Sequence, residues 1–255
     1  GVVTREDLAS MEKLSAEFGG INDLSGLEHA VNLENVWLSN NLIRDISPLA
    51  GLTRLANLYL GENQVRELAP LTNLNSLVTL GLSRNQVDEL TPLSGLKNLK
   101  RLYLDQNRID ELSPLASLGN LLELHLSENQ ITDIEALANL TQLKWGLSLN
   151  HNKIKNIEPL ANLTDLGSLH LNGNLIENIF ALANLQELES LCIQNNPIKR
   201  FSSLSNLKKL EYLELDDEEA IASTQLAHPC YLYHRNKAID DPVPIVDLSE
   251  LSDVT

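Results

Sequence analysis

With 255 residues, 43% of them hydrophobic, the chain has the composition of a globular protein. Its net charge of −16 repels phosphate backbones and anionic membrane surfaces, so nucleic acid is excluded as an expected partner. No apolar stretch approaches the roughly 20 residues that cross a bilayer, and no membrane insertion is expected.

The chain begins at Gly1 without a basic-then-apolar leader, so a secretion signal is expected to have been removed or never to have existed. Near this end Thr4 and Asp7 make a weakened capping box, and Leu8, Met11 and Leu14 follow at helical spacing. This predicts a helical cap within residues 1–32, merging into a degenerate first coil with Leu14, Ile21, Leu24 and Leu27 in register and Gly19 where an Asn will later recur.

From Leu33 a frame repeats: L-x-x-L-x-L-x-x-N-x-[IVL]-x-x-[IL]-x-x-L-x-x-L. It recurs at Leu55, Leu77, Leu99, Leu121, Leu143, Leu166 and Leu188, giving eight full copies. Its Asn is Asn41, Asn63, Asn85, Asn107, Asn129, Asn152, Asn174 and Asn196, spaced by 22 except for the 23 between Asn129 and Asn152. A partial copy starts at Leu210, with Glu218 in place of the Asn, so the repeats span residues 33–218.

Each copy reads as one coil of a solenoid. The alternating LxL is a short strand with its Leu inward. Pro48, Pro70, Pro92, Pro114 and Pro159 fix φ at the start of a turn or 3₁₀ segment. A 22-residue coil leaves no room for a long helix as well as a strand. The predicted fold is therefore α/β, a curved right-handed leucine-rich-repeat horseshoe. Short parallel strands line its concave face, and turns and 3₁₀ segments its convex face. Aliphatic side chains must build the core, because only 4% of residues are aromatic. The recurring Asn sits where the chain leaves the strand and is expected to satisfy backbone groups of adjacent coils.

These repeats, with segments such as "DISPLAGLT", "ELSPLASL" and "NIEPLANLT", resemble the leucine-rich repeats of the bacterial internalin family. The N-terminal segment "VTREDLASMEKLSAEFGGINDLSGLEHAVNL" is similar to that family's helical cap. The resemblance implies a secreted or cell-surface binding protein whose ligand varies between members. No sorting motif or anchor is visible, and a cytoplasmic setting stays open. Residues 219–255 break the repeat; "CYLYH" and "VPIVDL" read as strands of a C-terminal cap, or as the start of a following immunoglobulin-like domain. An immunoglobulin-like sandwich needs about 100 residues, far more than this segment supplies.

Side chains flanking the inward Leu of each strand point to the concave surface. The column between the two Leu runs Trp37, Tyr59, Gly81, Tyr103, His125, Ser148, His170, Cys192, Glu214. The preceding column includes Arg101, Glu123 and Tyr212, and Arg84 lies close by. Trp, Tyr and Arg dominate interface hot spots, and exposed apolar rows mark partner sites, although aromatics also suit strand surfaces in general. The candidate partner-binding residues are accordingly Trp37, Tyr59, Arg84, Arg101, Tyr103, Glu123, His125, Trp145, His170 and Tyr212.

The odd coil places its extra residue within Lys144-Trp145-Gly146, because Leu143, Leu147 and Leu149 must all stay inward. A bulge is expected there, with Gly146 supplying the permissive backbone and Trp145 near the concave rim.

His170, Cys192 and Glu214 share one column on consecutive strands, which invites a zinc or thiol–imidazole reading. An open, wet face with acidic neighbours argues against it, and neither a metal nor a cofactor is expected. Two cysteines, Cys192 and Cys230, are too few for a disulfide-built scaffold and leave the redox compartment open. The function expected is non-enzymatic recognition of a protein ligand by a monomer, against the alternative of a structural spacer holding a downstream domain.

Overall fold

The computed structural model describes residues 4–216 and the strand Tyr231–Tyr233. A short helix α1 (Arg5–Ala9) leads into strand β1 (Lys13–Ser15). The solenoid strands follow: β2 (Asn35–Trp37), β3 (Asn57–Tyr59), β4 (Thr79–Gly81), β5 (Arg101–Tyr103) and β6 (Glu123–His125). The series continues with β7 (Gly146–Ser148), β8 (Ser168–His170), β9 (Ser190–Cys192), β10 (Tyr212–Glu214) and β11 (Tyr231–Tyr233). Described residues form one parallel sheet of 11 strands in sequence order. From β1 to β10 each return passes through a 3₁₀ segment, as the coil length requires. The fold is the expected leucine-rich-repeat solenoid.

At the N-terminus the capping box is complete. Thr4 Oγ1 accepts from the Asp7 N–H at 3.2 Å, and Thr4 N–H donates to Asp7 Oδ2 at 2.8 Å. The helix is shorter than the apolar spacing suggested. It stops at Ala9, and Leu14 sits in β1 opposite Val36. Pairing with the first full coil overrides the local helical pattern there. "VPIVDL" lies outside the described residues, whereas "CYLYH" supplies β11, which pairs in parallel with β10.

The core is aliphatic throughout. In one coil Leu99, Leu102, Leu104, Ile109, Leu112, Leu115 and Leu118 are each no more than 1% exposed. Burying one such side chain stabilises by about 1.5–3 kcal/mol, and each coil repeats the set. Pro occupies the first turn of the 3₁₀ segments at Ser47–Leu49, Ala69–Leu71, Thr91–Leu93, Ser113–Ser117 and Glu158–Asn162. Glu135–Leu137 and Phe180–Asn184 form the same segment without it. A side chain two residues ahead helps set up most of these turns. Asp45, Asp133, Asn156 and Asn178 each accept the N–H of the first 3₁₀ residue at 2.8–3.0 Å.

The repeated Asn closes each coil onto the one before. Asn129 Nδ2 donates to Leu104 O and Leu126 O, both at 3.0 Å, and its Oδ1 accepts from the Ile109 N–H at 3.0 Å. The other seven Asn make the same bonds. The series ends at Gly19, which has no side chain to offer; Asn41 Oδ1 instead accepts from the Gly19 and Ile21 N–H groups at 3.0 and 2.9 Å.

The 23-residue coil is a bulge at the entrance of β7. Lys144 and Trp145 both donate to Leu122 O, as the equivalent pair does in regular coils, and Gly146 then pairs with Glu123. On the other side the pairing of β7 with β8 contracts to Leu147–Leu169 and Ser148–His170. The Asn ladder crosses the bulge intact, with Asn152 Nδ2 donating to Leu126 O at 3.0 Å.

The expected role of Gly146 is not what the structure shows. Gly146 has no positive φ, and a Cβ there would stand at an ordinary 3.8 Å from Ser168. The constraint falls one coil later, where a Cβ on Gly167 would meet the Lys144 carbonyl oxygen at 3.0 Å. That carbonyl accepts the Gly167 N–H at 2.9 Å, and a methyl group at 167 would crowd it.

Two stability outcomes follow, readable by thermal or urea unfolding. Gly167→Ala is expected to lose about 1–2 kcal/mol through overpacking, whereas Gly146→Ala stays within about 0.5 kcal/mol of wild type. Asn129→Ala strands buried backbone groups in two coils and is expected to lose about 2–3 kcal/mol. Equal effects of the two glycine substitutions would contradict this account of the bulge.

Candidate functional site on the strand face

Strands three residues long expose their first and third side chains on one face while the middle Leu or Val enters the core. On β5, β6 and the bulge these outward groups gather into a connected cluster. The Arg101 guanidinium lies over the Trp145 ring, 4.7 Å from its centroid. Arg101 belongs to β5 and Trp145 to the entrance of β7, so the indole reaches back across β6. Such a contact contributes about 0.5–1 kcal/mol at an exposed site, and it fixes the orientation of a Trp that remains 45% exposed.

Beside it, Tyr103 Oη donates to Glu123 Oε2 at 2.9 Å, and Arg101 Nε stands 3.8 Å from the same oxygen. Burial, reinforced by Glu123, pushes the Tyr103 phenol up to about 12, so it stays a donor. His125 packs edge-on against Tyr103, with centroids 5.0 Å apart. Its Nε2 lies 3.2 Å from Glu123 Oε1 and its Nδ1 3.6 Å from Asp105 Oδ2. Asp105 foremost, with Glu123, raises the His125 pKa against the opposing effect of burial. Asp105 also accepts from the Ser127 N–H at 2.8 Å, which holds it in place.

The cluster thus unites Arg101, Tyr103, Glu123, His125 and Trp145. Other candidates lie apart from it. Trp37 and Tyr59 stack on β2 and β3 with ring planes 6° apart. Arg84 projects from the loop after β4, where it pairs with Glu62 at 2.9 Å. His170 sits two strands beyond His125, 3.1 Å from Ser168 Oγ, and Tyr212 lies on β10. The aromatic row is also less open than its residue types suggested: Trp37, Tyr59, Tyr103 and Tyr212 are half-buried, and Trp145 alone of these is exposed. The residue that the sequence reading missed is Asp105. Its place beside the His125 column was visible, but its double grip on His125 and Ser127 depends on side-chain rotation.

His170, Cys192 and Glu214 do align in register. Cys192 is a buried free thiol whose pKa is raised by burial first and then by Glu214, the reverse of what a nucleophile or metal ligand needs. The Glu214 carboxylate accepts from Asn172 Nδ2 at 2.8 Å. No group of His, Cys, Asp and Glu among the described residues could hold a metal ion. No helix among them is long and apolar enough to cross a membrane.

The two histidines shift in opposite directions. Desolvation first, then His125, lowers the His170 pKa. Stability from the raised His125 is complete below its unfolded pKa of about 6.5 and lost as pH rises through the higher folded value. His170 acts in reverse: the fold resists its protonation, so its contribution falls as pH drops below about 6.5 toward its lower folded value. An NMR titration of the imidazole resonances is expected to place His125 above 6.5 and His170 below it. Glu123→Gln and Asp105→Asn should each move His125 downward. Coincident titration of the two rings would contradict the cluster's geometry.

Family profiles described as leucine-rich repeats match residues 31–73, 75–117 and 97–154. No curated protein sequence matches the chain. Among solved structures, internalin C2 of Listeria monocytogenes is 38% identical, with a TM-score of 0.70 over 75% of this chain and 84% of its own. A second Listeria monocytogenes internalin, InlF, is 32% identical, with a TM-score of 0.60 over 94% of this chain and 85% of its own. A leucine-rich-repeat protein of Leptospira interrogans shares the fold at 20% identity, with a TM-score of 0.71 over 91% of this chain and 70% of its own. The repeat frame, the capped first coil and the two Listeria relatives place the chain in the internalin family of leucine-rich-repeat proteins.

Proposed function

We propose that the chain is a non-enzymatic recognition scaffold, secreted or displayed at a cell surface, that binds a protein partner on its strand face. The contact is centred on Arg101, Tyr103, Glu123, His125 and Trp145. Trp37, Tyr59, His170 and Tyr212 flank it along the sheet, and Arg84 stands at the rim.

One observation carries the reading: the only coil with an extra residue uses it to set an exposed Trp over the face, pinned by Arg101. Trp, Tyr and Arg packed together are the composition of an interface hot spot, and pinning the ring in advance lowers the entropy lost on binding. The leucine-rich-repeat fold commonly serves protein–protein interaction, which supports the same reading. The net charge of −16 favours a partner with a basic patch. The chain acts as a monomer with neither metal nor cofactor, and the raised Cys192 thiol speaks against covalent chemistry.

Deletion of Trp145 tests the proposal. It restores a 22-residue coil with Leu143, Leu147 and Leu149 still inward. Coils contact only their neighbours, so unfolding free energy is expected to change by no more than about 1 kcal/mol. Partner capture by the immobilised protein is expected to fall at least tenfold, and Arg101→Ala should weaken it in the same direction. A well-folded deletion variant that retains the same partner at the same affinity would sink the proposal and leave the chain a spacer.

A further inference from the structure

The strand face divides by how its polar groups are used. From β5 onward several of them satisfy one another. Tyr103 donates to Glu123, the Ser127 and Ser148 hydroxyls bond at 2.6 Å, and Asn172 donates to Glu214. On β2 to β4 they do not. Asn57 Nδ2 donates to Asn35 Oδ1 at 2.8 Å, and there the network ends. Asn35 Nδ2, Asn57 Oδ1, the Trp37 indole N–H and the Tyr59 hydroxyl have no hydrogen-bond partner among the described residues. The Thr79 hydroxyl is fully buried and unpartnered. Buried polar groups are nearly always paired, so this orphan beneath β4 sets the stretch apart from the bonded groups beyond β5.

The same stretch is electrically blank. The outward positions of β2, β3 and β4, and the residue after the second Leu in each of those coils, carry no charge. Charged groups return at once on both sides, with Lys13 on β1 and Arg101 on β5. Within this blank window the Trp37 and Tyr59 rings lie parallel, 6.2 Å between centroids. Glycine at position 81 lets the Tyr59 ring lean toward β4: a Cβ there would stand 3.0 Å from Tyr59 Cδ1. The result is a stacked aromatic pair beside free amide, indole and hydroxyl groups, and the charges just past β3 and β4, Glu62 and Arg84, neutralise each other at 2.9 Å.

We propose that this window also binds a neutral glycan, beside the charged cluster at the centre of the protein-partner contact, whose flank Trp37 and Tyr59 form. A pyranose presents one face of C–H groups, which packs on an aromatic ring, and a rim of hydroxyls that both donate and accept. The free groups at the window divide in the same way: the indole N–H and Asn35 Nδ2 donate, Asn57 Oδ1 accepts, and the Tyr59 hydroxyl does either. A sialylated or sulfated glycan would face the chain's charge of −16 with no cation in the window to offset it.

The full chain is probed on an array of immobilised neutral, sialylated and sulfated oligosaccharides, and the best-retained neutral glycan is then titrated calorimetrically. Retention is expected among the neutral glycans alone. Trp37→Ala is expected to weaken binding at least tenfold. Asn57→Asp, which keeps the side-chain shape but brings a charge into the window, should do the same and serves if Trp37→Ala proves unstable. Trp145→Ala, outside the window, should leave the glycan affinity within twofold while reducing protein-partner capture, so the two sites fail separately. Retention of no neutral glycan, retention confined to charged glycans, or undiminished binding by Asn57→Asp and a folded Trp37→Ala would each overturn the proposal. So would capture of peptides in place of glycans by the same window.

Discussion

A carboxamide held, buried or half-buried, at the same turn of eight successive coils is the constraint on which this molecule rests. Parallel strands three residues long supply too few backbone bonds to align their own coils, and the returns through 3₁₀ segments leave carbonyl and N–H groups pointing inward. One Asn per coil resolves this by donating to a carbonyl of its own coil and one of the preceding coil, while accepting an N–H from the preceding coil. The bonds are buried, where an unmade partner is most costly. They also fix the axial register, so the Leu layers stack without slipping. Because the ladder and the Leu core carry the fold, the outward strand positions are released from structural duty.

That division of labour explains what could be read from the sequence. The period, the strand positions, the inward Leu and the bonding role of the Asn were all legible, since each is a local pattern repeated until chance is excluded. The 3₁₀ returns were legible too, but for an incomplete reason. Pro marks five of them, whereas Glu135–Leu137 and Phe180–Asn184 need none, because Asp133 and Asn178 cap the turn from two residues ahead. The N-terminal helix was overextended for an opposite cause. Leu14 fits a helical stripe, but pairing with Val36 offers it a strand, and that tertiary contact is invisible to local spacing.

The candidate site was legible as columns and not as contacts. Which residues face outward follows from alternation alone. Which of them meet depends on rotamers: Arg101 lies over the Trp145 ring while staying 3.8 Å from Glu123, and Asp105 grips both His125 and Ser127. The bulge shows the same limit. Its place between Leu143 and Leu147 was fixed by the need to keep both inward. The glycine with a close contact is Gly167, one coil away, because the Lys144 carbonyl faces the next coil and not its own.

The residue just ahead of each ladder Asn makes the cost of this architecture visible. Asn40, Glu62, Arg84, Gln106, Glu128, His151 and Asn195 all have φ between +53° and +59°, a region that L-residues enter only at roughly 1–2 kcal/mol. In most coils this residue donates its N–H to the next coil, as Arg84 does to Asp105 O at 2.8 Å, so the left-handed turn extends the sheet ladder past the strand. Glycine would relieve the strain, yet it occurs in this series only at Gly173. There it answers a different demand: a Cβ would stand 2.4 Å from the His151 ring, which lies over the position. Backbone strain alone has therefore not selected glycine along the column. Elsewhere a side chain is kept, and on Arg84 and Gln106 it spans coils to Glu62 and Glu128. Lateral bonds between these rim side chains offset part of the strain that the turn imposes, and they tie the edge of the strand face to the same register that the buried Asn sets from within.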